Sequence, residues 1–239
     1  MKRDVILLVL CLCVLGSVNW LGQRSAEPVS AISGVEENWT LILDAGHGGE
    51  DGGASTSAGQ KESDINLAIV LKARALMTFL GVEPLLTRDA DISLHSDGSE
   101  TIRQKKVSDL KNRVALVKDT SNALLISVHQ NHFTDPRYDG AQVFFNGGDA
   151  GRHWGEGTQE LFRQVLDLNN DRKAKPMPDG IYLFEHISCP AILVECGFLS
   201  NGEEAMLLVT DTYQRKVAMG LAGAYFCGIQ MMPTSLGGD

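Results

Sequence analysis

The chain has 239 residues, 44% of them hydrophobic, and a formal net charge of -9. That length supports one sizeable core and is too short for two large ones. The acidic balance excludes general affinity for nucleic acid or anionic lipid, whose phosphates require clustered Lys and Arg; the nearest thing to a basic run, Arg172, Lys173 and Lys175, is short.

At the start, Lys2 and Arg3 precede an almost uninterrupted apolar run from Val5 to Leu21, the pattern of an export segment. The run is slightly short for a bilayer span of about 20 residues, yet sufficient for a tilted anchor. The small-residue pattern "VSA" at Val29 to Ala31 lies rather far from it to serve as a cleavage site. Residues 1–22 therefore read as a signal or anchor segment, with an uncleaved anchor preferred, and the location as extracytoplasmic, secreted or membrane-anchored. Residues 23–38 contain Pro, Ser and Gly and read as a linker. The folded domain is expected over 39–230, followed by a tail at 231–239. Cys11 and Cys13 fall inside the apolar run, leaving Cys189, Cys196 and Cys227, an odd number that argues against a disulfide framework.

From Trp39 onward, short apolar runs alternate with helical periodicity. "WTLILDAG" reads as a strand; Ser63 is placed to cap a helix carrying Ala68, Leu71, Ala75 and Phe79 at spacings of three and four. "VEPLLTR" reads as a second strand, and Ser108 as the opening of a helix with Leu110, Val114 and Val117. "ALLISVH", "AQVFF" and "AILVEC" supply further strands, and a long terminal helix carries Tyr213, Val217, Leu221 and Tyr225 on one face. Strands written as continuous apolar runs are buried on both faces, so helices must cover both sides. The expected fold is a three-layer αβα domain with a mostly parallel, twisted sheet of about six strands. Asp89 to Val107 and the glycine-rich Asn146 to Gly157 read as long polar loops walling a substrate groove.

Open α/β sheets bind ligands beyond the carboxyl ends of their strands. His47 follows the first strand, His129 the third, Glu195 ends the fifth, and Glu62 stands just before the first helix. Two imidazoles and two carboxylates converging on one edge have the composition of a zinc hydrolase site: three metal ligands and a second carboxylate as general base. Singly, each has a plainer reading. A lone His at a strand end is more often a surface or capping residue. A carboxylate at the end of a buried strand demands a metal, a cation or a proton-transfer role, and a salt bridge from Glu195 to Arg88 would satisfy it. Cys196 is either a strand-end nucleophile or a small buried filler, the latter favoured. His132 reads as an exposed neighbour of the site; His95, His153 and His186 receive no role. The glycines at 46, 48, 49, 52 and 53 follow neither the dinucleotide nor the P-loop spacing.

The stretches "LDAGHGGEDGG", "KESDINLAIVLKARALM", "LLTRD", "LKNRVALV", "LLISVHQN" and "PAILVECGFLSNGEEAMLL" resemble, in order, the motifs of the zinc-dependent N-acetylmuramoyl-L-alanine amidases. The resemblance implies one zinc ion per chain on His47, Glu62 and His129, and Glu195 as catalytic acid and base. It implies hydrolysis of the amide joining the lactyl group of N-acetylmuramic acid to L-alanine in peptidoglycan. Ala45 stands where proline is usual and His132 where a small residue is usual. The anchor-like start, the Asp89 insertion and "RKAKPMPDGIYLF" are similar to the sporulation and germination branch, which strips peptide so that muramic δ-lactam forms in spore cortex and which works in some organisms with a partner protein.

Overall fold

The computed structural model describes residues 39–232. The elements are β1 (Thr40–Ala45), α1 (Glu62–Phe79), β2 (Leu85–Leu86), α2 (Ile102–Lys118), β3 (Ala123–Asn131), β4 (Gln142–Phe145), α3 (Gly148–Val165), β5 (Lys175–Pro176), α4 (Tyr182–Glu185), β6 (Ala191–Phe198), α5 (Gly202–Leu208) and α6 (Asp211–Met231). The six strands run in the order β2-β1-β3-β6-β4-β5. All pair in parallel except β4 with β6.

Alternation along the strands divides the core. Leu41, Leu43, Leu124, Ile126, Ile192 and Val194 point to one face, where Ile69, Met77, Trp154, Phe162 and Leu221 of α1, α3 and α6 cover them. Ile42, Leu125 and Leu193 point to the other, against Val114, Val117, Leu183 and Phe184 of α2 and α4. Each fully buried aliphatic side chain contributes about 2 kcal/mol of transfer free energy. Both faces are thus apolar, and polar side chains concentrate at the strand ends. The three layers and the mostly parallel six-stranded sheet agree with the sequence reading.

Four local expectations are corrected. Ser63 does not cap α1: the N-cap is Lys61, with no side-chain cap bond, and the first N–H groups, of Glu62 and Ser63, donate to the carbonyls of Ala54 and Gly52. The glycine-rich loop itself caps the helix. Ser108 does not open α2; Thr101 does, with Gln104 completing a reciprocal capping box. "VEPLLTR" yields only Leu85–Leu86 as strand: Pro84 cannot donate to a ladder, and the pairing with β1 closes with the Thr87 N–H donating to the Leu43 carbonyl at 3.1 Å. Asn146 to Gly157 is largely helix α3, not a loop: its glycines admit close packing, a Cβ at Gly151 falling 1.5 Å from the Asn146 carbonyl oxygen and one at Gly155 2.6 Å from the Phe145 ring. It contributes no residue to the lining of the cavity that holds His47, His129 and Glu195.

Membrane anchorage is also corrected. No helix among the described residues is long and apolar enough to cross a membrane. The segment at 1–22 on which anchorage and an extracytoplasmic location rested, the linker at 23–38 and the tail from 233 lie outside the described residues.

Candidate metal centre and active site

The carboxyl edge of β1 is built on a buried ion pair. Asp44 accepts hydrogen bonds from Thr87 Oγ1 (2.8 Å) and Ser127 Oγ (2.6 Å) and pairs with Arg113. Burial would raise its pKa, yet the Arg113 guanidinium and these hydroxyls hold it down at about 2. Arg113 donates onward to the carbonyls of Ala45 (2.9 Å) and His47 (2.7 Å) and to Asp109 (2.7 Å). Arg88 donates to the carbonyls of Ala45, Gly46, Ser63 and Ala90. Two guanidinium groups thereby pin a turn in which His47 adopts φ 62°, a left-handed conformation rare for a non-glycine residue. The Ala45 N–H donates to Thr87 Oγ1 at 3.2 Å, a bond that proline at this position would lack.

That turn delivers His47 to Glu62, at the amino end of α1, and to His129, near the end of β3. Glu62 Oε1 lies 3.3 Å from His47 Nε2 and 2.9 Å from His129 Nδ1, and the two rings meet edge to face at 5.0 Å. One ligand atom from each residue lies within 4.8 Å of the others. Two imidazole nitrogens and a carboxylate oxygen suit a divalent metal such as zinc. The frame around them is specific: His47 Nδ1 pairs with Asp51 at 3.0 Å, while Ala54 N–H and Gln130 N–H donate to Glu62. Such outer partners fix ring orientation for a metal. Burial disfavours the His47 imidazolium, but the hydrogen bonds to Asp51 and Glu62 outweigh it and lift its pKa to about 9. Burial would raise Glu62, yet His129 and His47 draw it well below the ordinary carboxylate range.

Gly46 and Gly53 keep space for this cluster. A Cβ on Gly46 would fall 2.2 Å from the His129 ring; one on Gly53, at φ 67°, would fall 2.5 Å from Glu62 Oε2.

Glu195, paired in register with His129 across β3 and β6, lines the same cavity of about 200 Å³ as His47 and His129. Its Oε2 is buried with no hydrogen-bond partner. Burial is the main cause that pushes its pKa up to about 7, where a carboxylate exchanges protons at neutral pH. The alternative salt bridge to Arg88 is not made, since all four Arg88 bonds go to backbone carbonyls. Cys196 is fully buried and its thiol is pushed up strongly by burial, as a filler rather than a nucleophile requires. His132, His153 and His186 are exposed, and none of the three, nor His95, joins the cluster. The 89–107 segment is loop only as far as Thr101; from Ile102 on it is helix α2, from which Lys106 reaches the cavity wall and pairs with Asp51 at 3.2 Å. A larger groove of about 800 Å³ between α1 and α6 carries only Lys72, Asp211 and Arg215 among its titratable groups.

Sequence reasoning missed Asp44, Asp51 and Arg113. Asp44 carried the same signal as Glu195, a lone carboxylate ending a buried apolar strand, and Asp51 lies four residues after His47.

A family model described as N-acetylmuramoyl-L-alanine amidase matches residues 41–225. The chain belongs to this amidase family. It is 37% identical over 184 residues to the germination-specific N-acetylmuramoyl-L-alanine amidase of Bacillus subtilis (strain 168), covering 76% of each chain. It is 26% identical to the amidase AmiA of Escherichia coli (strain K12), over 76% of this chain and 73% of that one. Among solved structures, the CwlD amidase of Clostridioides difficile, in complex with the GerS lipoprotein, superposes with a TM-score of 0.74 at 41% identity, covering 81% of this chain and 97% of that one. The protein is accordingly an N-acetylmuramoyl-L-alanine amidase acting on peptidoglycan, and the cluster of His47, Glu62 and His129 is where this amidase has the donors for a metal ion.

Proposed function

We propose that this amidase is zinc-dependent, with one ion per chain held by His47, Glu62 and His129, and with Glu195 as its proton carrier. The carrying observation is the unpartnered Glu195 Oε2 in the cavity shared with the two histidines. Held by His47, Glu62 and His129, zinc would supply the Lewis acidity that makes water a nucleophile at neutral pH and polarises the lactyl carbonyl. Glu195 takes the proton of the attacking water as the carbon–oxygen bond forms. It returns that proton to the alanine nitrogen as the carbon–nitrogen bond breaks, so the leaving group departs as a neutral amine. Asp51 holds the His47 ring, and Ala54 and Gln130 N–H groups hold the Glu62 carboxylate, in fixed orientation.

The test is digestion of purified muropeptides by the zinc-loaded full chain with products identified by mass. Release of intact L-alanyl peptide and free muramoyl glycan is expected; cleavage between amino acids would reassign the protein to the peptidases.

The germination-specific relative supports a role in removing peptide from spore-cortex muramic acid ahead of δ-lactam formation. Deleting the gene should remove muramic δ-lactam from cortex digests; unchanged lactam would favour a vegetative role. The complex of the Clostridioides difficile relative with a lipoprotein supports a sporulation partner for this chain as well. Turnover by the isolated chain at the rate seen in spore extracts would argue against that dependence.

A further inference from the structure

Phe133 and Tyr138 stand 49% and 48% exposed on the segment joining β3 to β4. The register places them. Asn131 pairs with Phe198 and Gln142 with Glu195, so residues 132–141 span the end of β6, the strand that carries the candidate base.

Exposed aromatic side chains on a surface loop ordinarily fold down onto apolar neighbours. Here a polar frame holds the loop as well. Ser200 Oγ accepts the Phe133 N–H at 3.1 Å. Glu204 accepts the N–H groups of Gly140 (3.0 Å) and Phe198 (2.7 Å), and Asn170 donates to the Ala141 carbonyl at 2.9 Å. Arg172 donates to the Asp139 carbonyl at 2.6 Å and to Gln142 at 3.1 Å, with its guanidinium carbon 4.5 Å from the centre of the Phe198 ring. Tyr138 stacks on Phe198 at 6.3 Å and 28°, and Phe133 meets Tyr138 edge to face at 5.0 Å. The residue flagged in sequence as part of a basic run is thus a strut beneath an aromatic platform.

The platform's chemistry selects its ligand. An acidic peptide would need a free cation, but Arg172 is engaged as described and Arg137 is paired with Asp135 at 2.6 Å. Rigid aromatic rings match the C–H faces of pyranose sugars, which bury apolar surface against a ring without a charge partner.

We propose that Phe133 and Tyr138 form a stacking subsite for the N-acetylated sugar chain of the substrate, separate from the centre that cuts the amide. The inference rests on the amidase reading for its substrate class.

Chitotetraose, four linked N-acetylglucosamines with no lactyl group and no peptide, isolates the sugar contribution. Titrated calorimetrically into the full chain, it is expected to bind the parent and to bind the Phe133→Ala/Tyr138→Ala variant about tenfold more weakly, the loss expected of two stacking rings. Tyr138→Phe, which keeps the ring, is expected to stay within about twofold. An unchanged melting temperature confirms that the double variant folds. On polymeric peptidoglycan the double variant should raise KM with kcat unchanged, while turnover of single-sugar muramoyl peptide stays at the parent's value. No binding of chitotetraose by the parent, unchanged affinity in the double variant, or an equal loss on the single-sugar substrate would each overturn the subsite. A parent that binds chitotetraose through these rings yet leaves muropeptides intact would overturn the reaction assignment alone.

Discussion

The Arg113 guanidinium donates to the backbone carbonyl of His47 at 2.7 Å while its other arm is paired with the fully buried Asp44. A helix on one face of the sheet therefore sets the backbone angle of a candidate metal ligand on the edge of another element. Lysine carries the charge but cannot reach Asp44, Asp109 and two carbonyls at once. Arg113→Lys is expected to lower stability by about 1–3 kcal/mol and to weaken zinc retention by about tenfold. Chemical denaturation and competitive metal titration measure the two effects. Wild-type zinc affinity in a destabilised variant would mean that Arg113 supports the fold without orienting His47.

Gly46 tests the space around His129. An alanine Cβ there would overlap the ring at 2.2 Å, and the ring has Glu62 on its other nitrogen. Gly46→Ala is expected to displace His129 and to leave the purified protein with substoichiometric zinc by atomic absorption. Gly59→Ala is the control: at φ 88° with nothing within 4 Å, it should cost about 1 kcal/mol of backbone strain and keep its metal. Full zinc occupancy in Gly46→Ala would show that the ring can retreat and still ligate.

The sheet and its flanking helices were legible because apolar runs and helical spacing are statements about burial. Leu41, Leu124 and Ile192 point into the core as their strands demand. The convergence of His47, Glu62 and His129 was legible too, because strand ends in this topology share one edge. What stayed hidden depends on partners far apart in sequence. Asp44 and Arg113 are 69 residues apart and look like unrelated surface charges until the fold pairs them. Glycine-rich helix α3 was misread as a loop because glycine has low helix propensity, and packing against Phe145 overrode it.

Glu195 sets stability against activity. Burial raises its pKa from 4.5 to about 7 in the metal-free protein. A carboxyl raised on folding favours the folded state when neutral, so its contribution is intact below pH 4.5 and is lost as pH rises to about 7. Glutamine never ionises and escapes that loss. The stability of metal-free Glu195→Gln relative to the parent should thus grow by about 3 kcal/mol between about pH 4 and about pH 8. Turnover should fall by about 10²–10⁴-fold with zinc still bound. Denaturant titrations at several pH values read the first effect and muropeptide digestion the second; a flat difference across pH would mean Glu195 is better solvated than its unpartnered Oε2 indicates.

Cys196 separates a hydrolytic water from a thiol nucleophile. Its side chain is fully buried in the same strand as Glu195, with Sγ 3.7 Å from the Val194 carbonyl, and burial keeps the thiol protonated. A nucleophile needs the thiolate and access to substrate, and this residue has neither. Cys196→Ser exchanges one small donor for another and should cost about 1–2 kcal/mol for a buried hydroxyl while turnover persists. Chelation should abolish activity in parent and variant alike, and added zinc should restore it in both. If the serine variant folded, held zinc and yet failed to hydrolyse the muramoyl amide, the nucleophile would be the Cys196 thiol and not water; persistence of turnover leaves water as the nucleophile and Glu195, which lines the cavity with His47 and His129, as its base.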